Sequence, residues 1–123
     1  MLAKLESLTK NKQVESIIQF GSSLHKKTFR DIDLCLFTTK KLTLKEKLRM
    51  QRNLPEKYDL SFYEDLPLNL KKAVISEGKI IFTKNYYRVL KEIPYLEREY
   101  PRYAAFLKEY HQKRMELMRG TAS

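Results

Sequence analysis

A single cysteine, Cys35, rules out an internal disulfide in this chain of 123 residues. Such usage fits a reducing, cytoplasmic setting rather than a disulfide-stapled secreted scaffold. No apolar run approaches the ~18–20 residues that a membrane-spanning helix needs. The opening MLAKLESLTKNKQ is too polar to read as a secretory signal. There is no low-complexity linker, no internal repeat, no Cys/His cluster of zinc-binding spacing and no RNA-recognition motif. Acidic residues are scarce: 15 Asp and Glu stand against 25 Lys and Arg, a formal net charge of +10. That balance favours an acidic partner such as nucleic acid, a nucleotide or an acidic protein surface. The excess is dispersed, with 16 basic and 10 acidic residues in 1–83 and 9 and 5 in 84–119. A detached basic tail is therefore excluded, and a solvated basic surface is the simpler reading of charge alone.

What is present suffices for one compact domain. A hydrophobic content of 42% places the chain among globular proteins. Leu2, Leu5 and Leu8 predict a short helix over 2–10. QVESIIQF (13–20), DIDLCLFTT (31–39), KYDLSFYE (57–64) and KIIFT (79–83) read as strands. In the second strand Ile32, Leu34 and Leu36 share one face, and Asp31, Asp33 and Cys35 share the other. In the third, Tyr58, Leu60 and Phe62 alternate with Asp59, Ser61 and Tyr63. A helix over 42–54 starts from Thr43 as N-cap, with Leu44, Leu48, Met50 and Leu54 along one side. A second helix, over 65–78, is predicted to be capped by Asp65 and stopped by Gly78. Beyond residue 84 apolar residues from Tyr86 to Tyr110 recur three and four apart, a helical seam. Pro94 and Pro101 predict that this segment breaks into shorter helices, because an interior proline costs about 3 kcal/mol. The expected architecture is α+β: a mixed four-stranded sheet flanked by helices (1–83), with a helical C-terminal extension (84–123).

The residues that carry chemistry cluster in two places. Asp31 and Asp33 project together from one strand face, roughly 6.5–7 Å apart at the backbone. Carboxylates so close repel unless a cation lies beside them. Hard oxygen donors point to Mg²⁺ or Mn²⁺, and a pair of such ions is the usual apparatus for displacement at phosphorus. Asp59, on the polar face of the third strand, supplies a third carboxylate. Glu64 and Asp65 could replace it, but both sit at the strand's end and read as turn and cap. Gly21-Ser22, at the end of the first strand, lets backbone N–H groups approach a phosphate closely. Lys26, Lys27 and Arg30 follow as phosphate neighbours. His25 reads as a loop residue and Cys35 as a small buried apolar one.

GSSLHKKTFRDIDLCLF resembles the nucleotidyltransferase signature of the DNA polymerase β-like superfamily, a Gly-Ser followed at a distance by Asp-X-Asp. More narrowly, with YDLSFYEDLPLNLKKAVISEGKIIF, the chain resembles the minimal nucleotidyltransferases (MNT), over nearly its whole length. That resemblance implies a small nucleotidyltransferase fold with Asp31, Asp33 and Asp59 as metal ligands. Asp59 would also be the candidate base, and Gly21 and Ser22 the triphosphate contacts. It further implies an antitoxin paired with a HEPN-domain RNase toxin, silenced by transfer of AMP from ATP to one of its tyrosines. Eight residues separate Ser22 from Asp31, fewer than the family pattern. Two other readings stand beside it: an antitoxin that acts by contact alone, and an RNA-directed nucleotidyltransferase.

Overall fold

The computed structural model describes residues 2–21 and 31–122. Four strands, β1 (Val14–Phe20), β2 (Ile32–Thr38), β3 (Tyr58–Phe62) and β4 (Lys79–Thr83), form one sheet in the order β3-β2-β1-β4. β1 runs antiparallel to β2 and β4, and β2 runs parallel to β3. The parallel pair needs a crossover. Helix α2 (Leu44–Arg52) provides it. Helices α1 (Glu6–Thr9), α3 (Leu68–Glu77), α4 (Tyr86–Leu90) and α5 (Glu92–Ala122) complete the architecture. The expected α+β class, with a mixed sheet flanked by helices, is what the chain adopts.

Both sheet faces are covered, which is why the central strands are buried almost end to end. One face buries Val14, Ile17, Ile32, Leu34, Leu36 and Tyr58 under Leu5, Leu8, Leu42, Met50 and Leu54. The other buries Ile18, Cys35, Phe37 and Tyr63 with Val74 and Val89. The predicted alternation of β2 and β3 is thus observed. Val14 and Ile17 reach the same face despite their odd spacing because the register shifts between Val14 and Ser16.

Helix α2 begins as expected, with the Thr43 hydroxyl accepting from the Glu46 amide. Its inward side differs: Met50 is buried, whereas Leu44 and Leu48 are 72% and 52% exposed. The core contact comes instead from Leu42 and Leu54, just outside the helix. Gln51 has a further use. Its amide donates to the Tyr58 carbonyl (2.7 Å) and accepts from Leu60 N–H (2.8 Å), pairing the outer edge of β3. Gln51→Ala should cost about 1–2 kcal/mol and accelerate hydrogen exchange at the Leu60 amide. Unchanged exchange there would show that the edge is held by something else.

Two expectations about the helices are corrected, the cap of α3 and the break at Pro101. Asp65 does not cap α3: it closes a 3₁₀ turn over Tyr63–Asp65, and its carboxylate pairs with Lys47. Pro67 holds Leu66 extended, so the helix starts only at Leu68, without a side-chain cap. Gly78 stops the helix as expected, in extended backbone (φ −72°, ψ 159°). The C-terminal segment restarts at its first proline, as expected, with α4 ending at Leu90 and α5 beginning at Glu92, but it does not break at Pro101. Pro94 falls in the first turn of α5, where its missing N–H is no loss, and the helix continues through Pro101. Along the apolar seam Val89 and Leu96 are buried while Tyr86 and Ile93 remain exposed. α5 lies along α3, where the Lys72 ammonium sits 3.9 Å over the Tyr100 ring.

Candidate active site

The sheet register decides which acids meet. Asp33, the second residue of β2, is paired with Phe20 on β1 and with Asp59 on β3. Parallel neighbours lie about 4.8 Å apart at the backbone, with side chains on the same face. Asp31, exposed, precedes β2 by one residue. Asp33 is part-buried and holds its proton above the usual carboxylate range. Burial is the main cause, followed by the negative charges of Asp59 and of Asp31. Both other aspartates read from the sequence therefore act electrostatically on Asp33.

Gly21 closes the site from above. Its φ of +81° is left-handed, and a Cβ at this position would lie 2.5 Å from Asp33 Oδ2. Only a glycine lets the chain leave β1 directly over the Asp33 carboxylate. Ser22, His25, Lys26, Lys27 and Arg30 lie outside the described residues.

Among the described residues no group of three His, Cys, Asp or Glu side chains is placed to hold a metal ion by itself. Mg²⁺ does not require one: it keeps several waters and binds through one or two carboxylates together with substrate phosphates. The donor set here fits that mode, with oxygen ligands only and, among the described residues, negative charge crowded around Asp33.

Two features of the surroundings carry no signal in the sequence. Gln51 clamps the strand that bears Asp59. Lys57, whose carbonyl accepts from Ile32 N–H (2.6 Å) at the foot of β3, is crowded by Lys4, which lowers its proton affinity. Cys35, farther along β2 on the face of Asp33, is fully buried. Burial pushes its thiol up to about 12, outweighing the nearby Lys71. Native protein at neutral pH should resist thiol alkylation and react only once denatured. Rapid labelling of the folded chain would contradict this burial. Among the described residues no helix is long and apolar enough to cross a membrane.

The model of a protein family described as polymerase beta, nucleotidyltransferase, matches residues 4–87. No curated protein matches the chain. Solved structures do. A toxin–antitoxin structure with AMP-PNP is 21% identical, with a TM-score of 0.64 over 85% of this chain and 92% of that one. A tri-AMPylated Shewanella oneidensis HEPN toxin in complex with MNT antitoxin is similar at 20% identity and a TM-score of 0.60, covering 85% and 89%. A MntA–HpeT toxin–antitoxin mutant, with two aspartates changed to glutamate, is similar at 18% identity and a TM-score of 0.63, covering 85% and 92%. At these identities the likeness establishes the fold.

Proposed function

Because the chain belongs to the polymerase β-type nucleotidyltransferase family, we propose that this nucleotidyltransferase is the antitoxin of a HEPN-domain RNase toxin and silences it by transferring AMP from ATP to a tyrosine. The observation that carries this reading is the row Phe20–Asp33–Asp59 across three strands. It sets the Asp33 carboxylate beside that of Asp59, with Asp31 two residues before it, directly beneath the glycine that follows β1. Support for the donor comes from the similar toxin–antitoxin structure with AMP-PNP, and for the acceptor from the AMPylated HEPN toxin held by its MNT antitoxin.

Asp31, Asp33 and Asp59 would hold Mg²⁺. The ion, when bound, would offset the triphosphate charge and lower the pKa of the attacking hydroxyl. Asp59, exposed on the edge strand, is placed to accept or orient the hydroxyl proton. Gly21 and Ser22 would bring backbone N–H groups to the triphosphate. Lys26, Lys27 and Arg30 would balance its charge. None of these side chains forms a bond to the substrate, so rate derives from positioning and charge neutralisation. The transfer itself balances simply: the tyrosine oxygen bonds to the α-phosphorus and pyrophosphate leaves.

Incubation of the chain with Mg²⁺, ATP and a HEPN-domain toxin tests this. The toxin should gain the mass of one or more AMP groups and lose RNase activity. A toxin that is silenced without any mass gain, and equally by an Asp31→Ala/Asp33→Ala variant, would instead establish inhibition by contact. Labelling of tRNA rather than protein would establish the RNA-directed alternative.

A further inference from the structure

Toward the far end of β2 and β3 from the acids, on the same sheet face, lies a cavity of about 340 Å³. Its floor includes Tyr63, stacked on Phe37 with ring centroids 4.3 Å apart. Its walls come from α3 (Lys71), α4 (Arg88), the α4–α5 joint (Lys91) and α5 (Glu92, Tyr95). Three cations thus face two carboxylates, because Glu64 also lines the opening.

The carboxylates are already taken. Glu92 accepts from Arg88 Nη1 at 2.7 Å and from the Tyr63 hydroxyl at 3.3 Å. Glu64 faces Arg88 Nη2 at 3.9 Å. Arg88, bound to Glu92 and lying 5.3 Å over the Phe37 ring, serves as the internal counter-ion. Lys71 and Lys91 have no such partner among the described residues. The residues outside that description contain no Asp or Glu. Lys71 is held in place, its ammonium 5.2 Å over the Tyr63 ring. Two uncompensated ammonium groups from different helices therefore line one concavity whose floor is aromatic. Positive charge over a low-dielectric floor attracts an anion more strongly than it would on an open surface.

The volume says which anion. It lies in the range of small-molecule sites and exceeds what a bare phosphate fills. Tyr95, 40% exposed, offers an aromatic wall beside the two lysines. Lysine recognises phosphate as a point charge, and a flat ring suits a heteroaromatic base. We propose that this cavity is a binding site for a nucleoside monophosphate, its phosphate held between Lys71 and Lys91 and its base against Tyr95. The site is separate from the aspartates and does not depend on their assignment.

The test uses the full chain with a chelator present, titrated with AMP and, separately, with inorganic phosphate. The lysine side-chain NMR resonances are followed throughout. AMP should shift Lys71 and Lys91 saturably. Lys71→Gln/Lys91→Gln should weaken AMP about tenfold per lysine, and Lys71→Arg/Lys91→Arg should retain it. Tyr95→Ala should weaken AMP and leave inorganic phosphate unchanged. Lysine signals that ignore AMP, or AMP binding that survives loss of both lysines, would overturn the site. Equal affinity for inorganic phosphate and AMP would overturn the nucleotide assignment.

Discussion

Asp33→Asn is expected to reduce the proposed AMP transfer by about 10²–10³-fold, the scale on which removing one preorganised electrostatic contact acts, and at the same time to make the metal-free protein more stable. Both effects follow from its place beside Asp59 and near Asp31. The folded chain binds the Asp33 proton more tightly than the unfolded chain does, because burial and two negative neighbours disfavour the anion. The stability linked to this group is therefore complete below the ordinary aspartate value of 3.8 and is lost as pH rises through the elevated folded value. Above that folded value the wild type carries the penalty. Asparagine, which has no charge to confine, removes it. Solvent screening of the part-open site limits the gain to about 1 kcal/mol or less, roughly 3–5 °C in Tm. The advantage should shrink as the pH falls toward the ordinary aspartate range. A variant that is both inactive and less stable in chelator at neutral pH would mean that Asp33 is a structural residue.

Gly78→Ala is expected to destabilise the fold by about 2–3 kcal/mol through overpacking. The sign is informative, because two physical effects oppose each other. At φ −72°, ψ 159° an alanine fits the backbone without strain, and the loss of unfolded-state freedom alone would stabilise by about 0.4–1 kcal/mol. Space decides against it. A Cβ here would collide with the Val74 carbonyl and lie 2.5 Å from Ile18 Cγ2 and 3.3 Å from the Gln19 carbonyl, all on packed structure. The end of α3 therefore rests on β1 just before the strand turns over Asp33. A shift of the urea midpoint to lower concentration, with an unchanged slope, is the expected record. A midpoint that rises would show that the strand yields at no cost.

The strands were legible because alternation is a local signal that the sheet preserves. β4 occupies the predicted 79–83, and β1, β2 and β3 fall within the predicted runs. The helix ends were less legible. Asp65 has the chemistry of a cap, yet Lys47 eighteen residues upstream claims its carboxylate, and Pro67 delays the helix. Leu44 and Leu48 have core-like spacing, yet Leu42 and Leu54 reach the core ahead of them from the flanking chain. A proline penalty read in isolation argued for a break at Pro101 as well as the one observed beside Pro94. The continuous helix shows that such a penalty is set against everything else that holds the two halves in line, including the packing of α5 on α3. Gln51 left no trace in the sequence, since a lone polar residue on a helix gives no hint of the edge strand it will meet.

Side-chain chemistry and its two-residue spacing by themselves determined that Asp31 and Asp33 share a face, and that a glycine must end β1. Neither says which strand lies next to which. Only the parallel docking of β3 on β2, in the register that sets Asp59 against Asp33, decided that the third carboxylate belongs to the same site. The reason is physical: strand pairing is a long-range choice made by the burial of both sheet faces. A slip of one residue would have turned Asp59 to the opposite face.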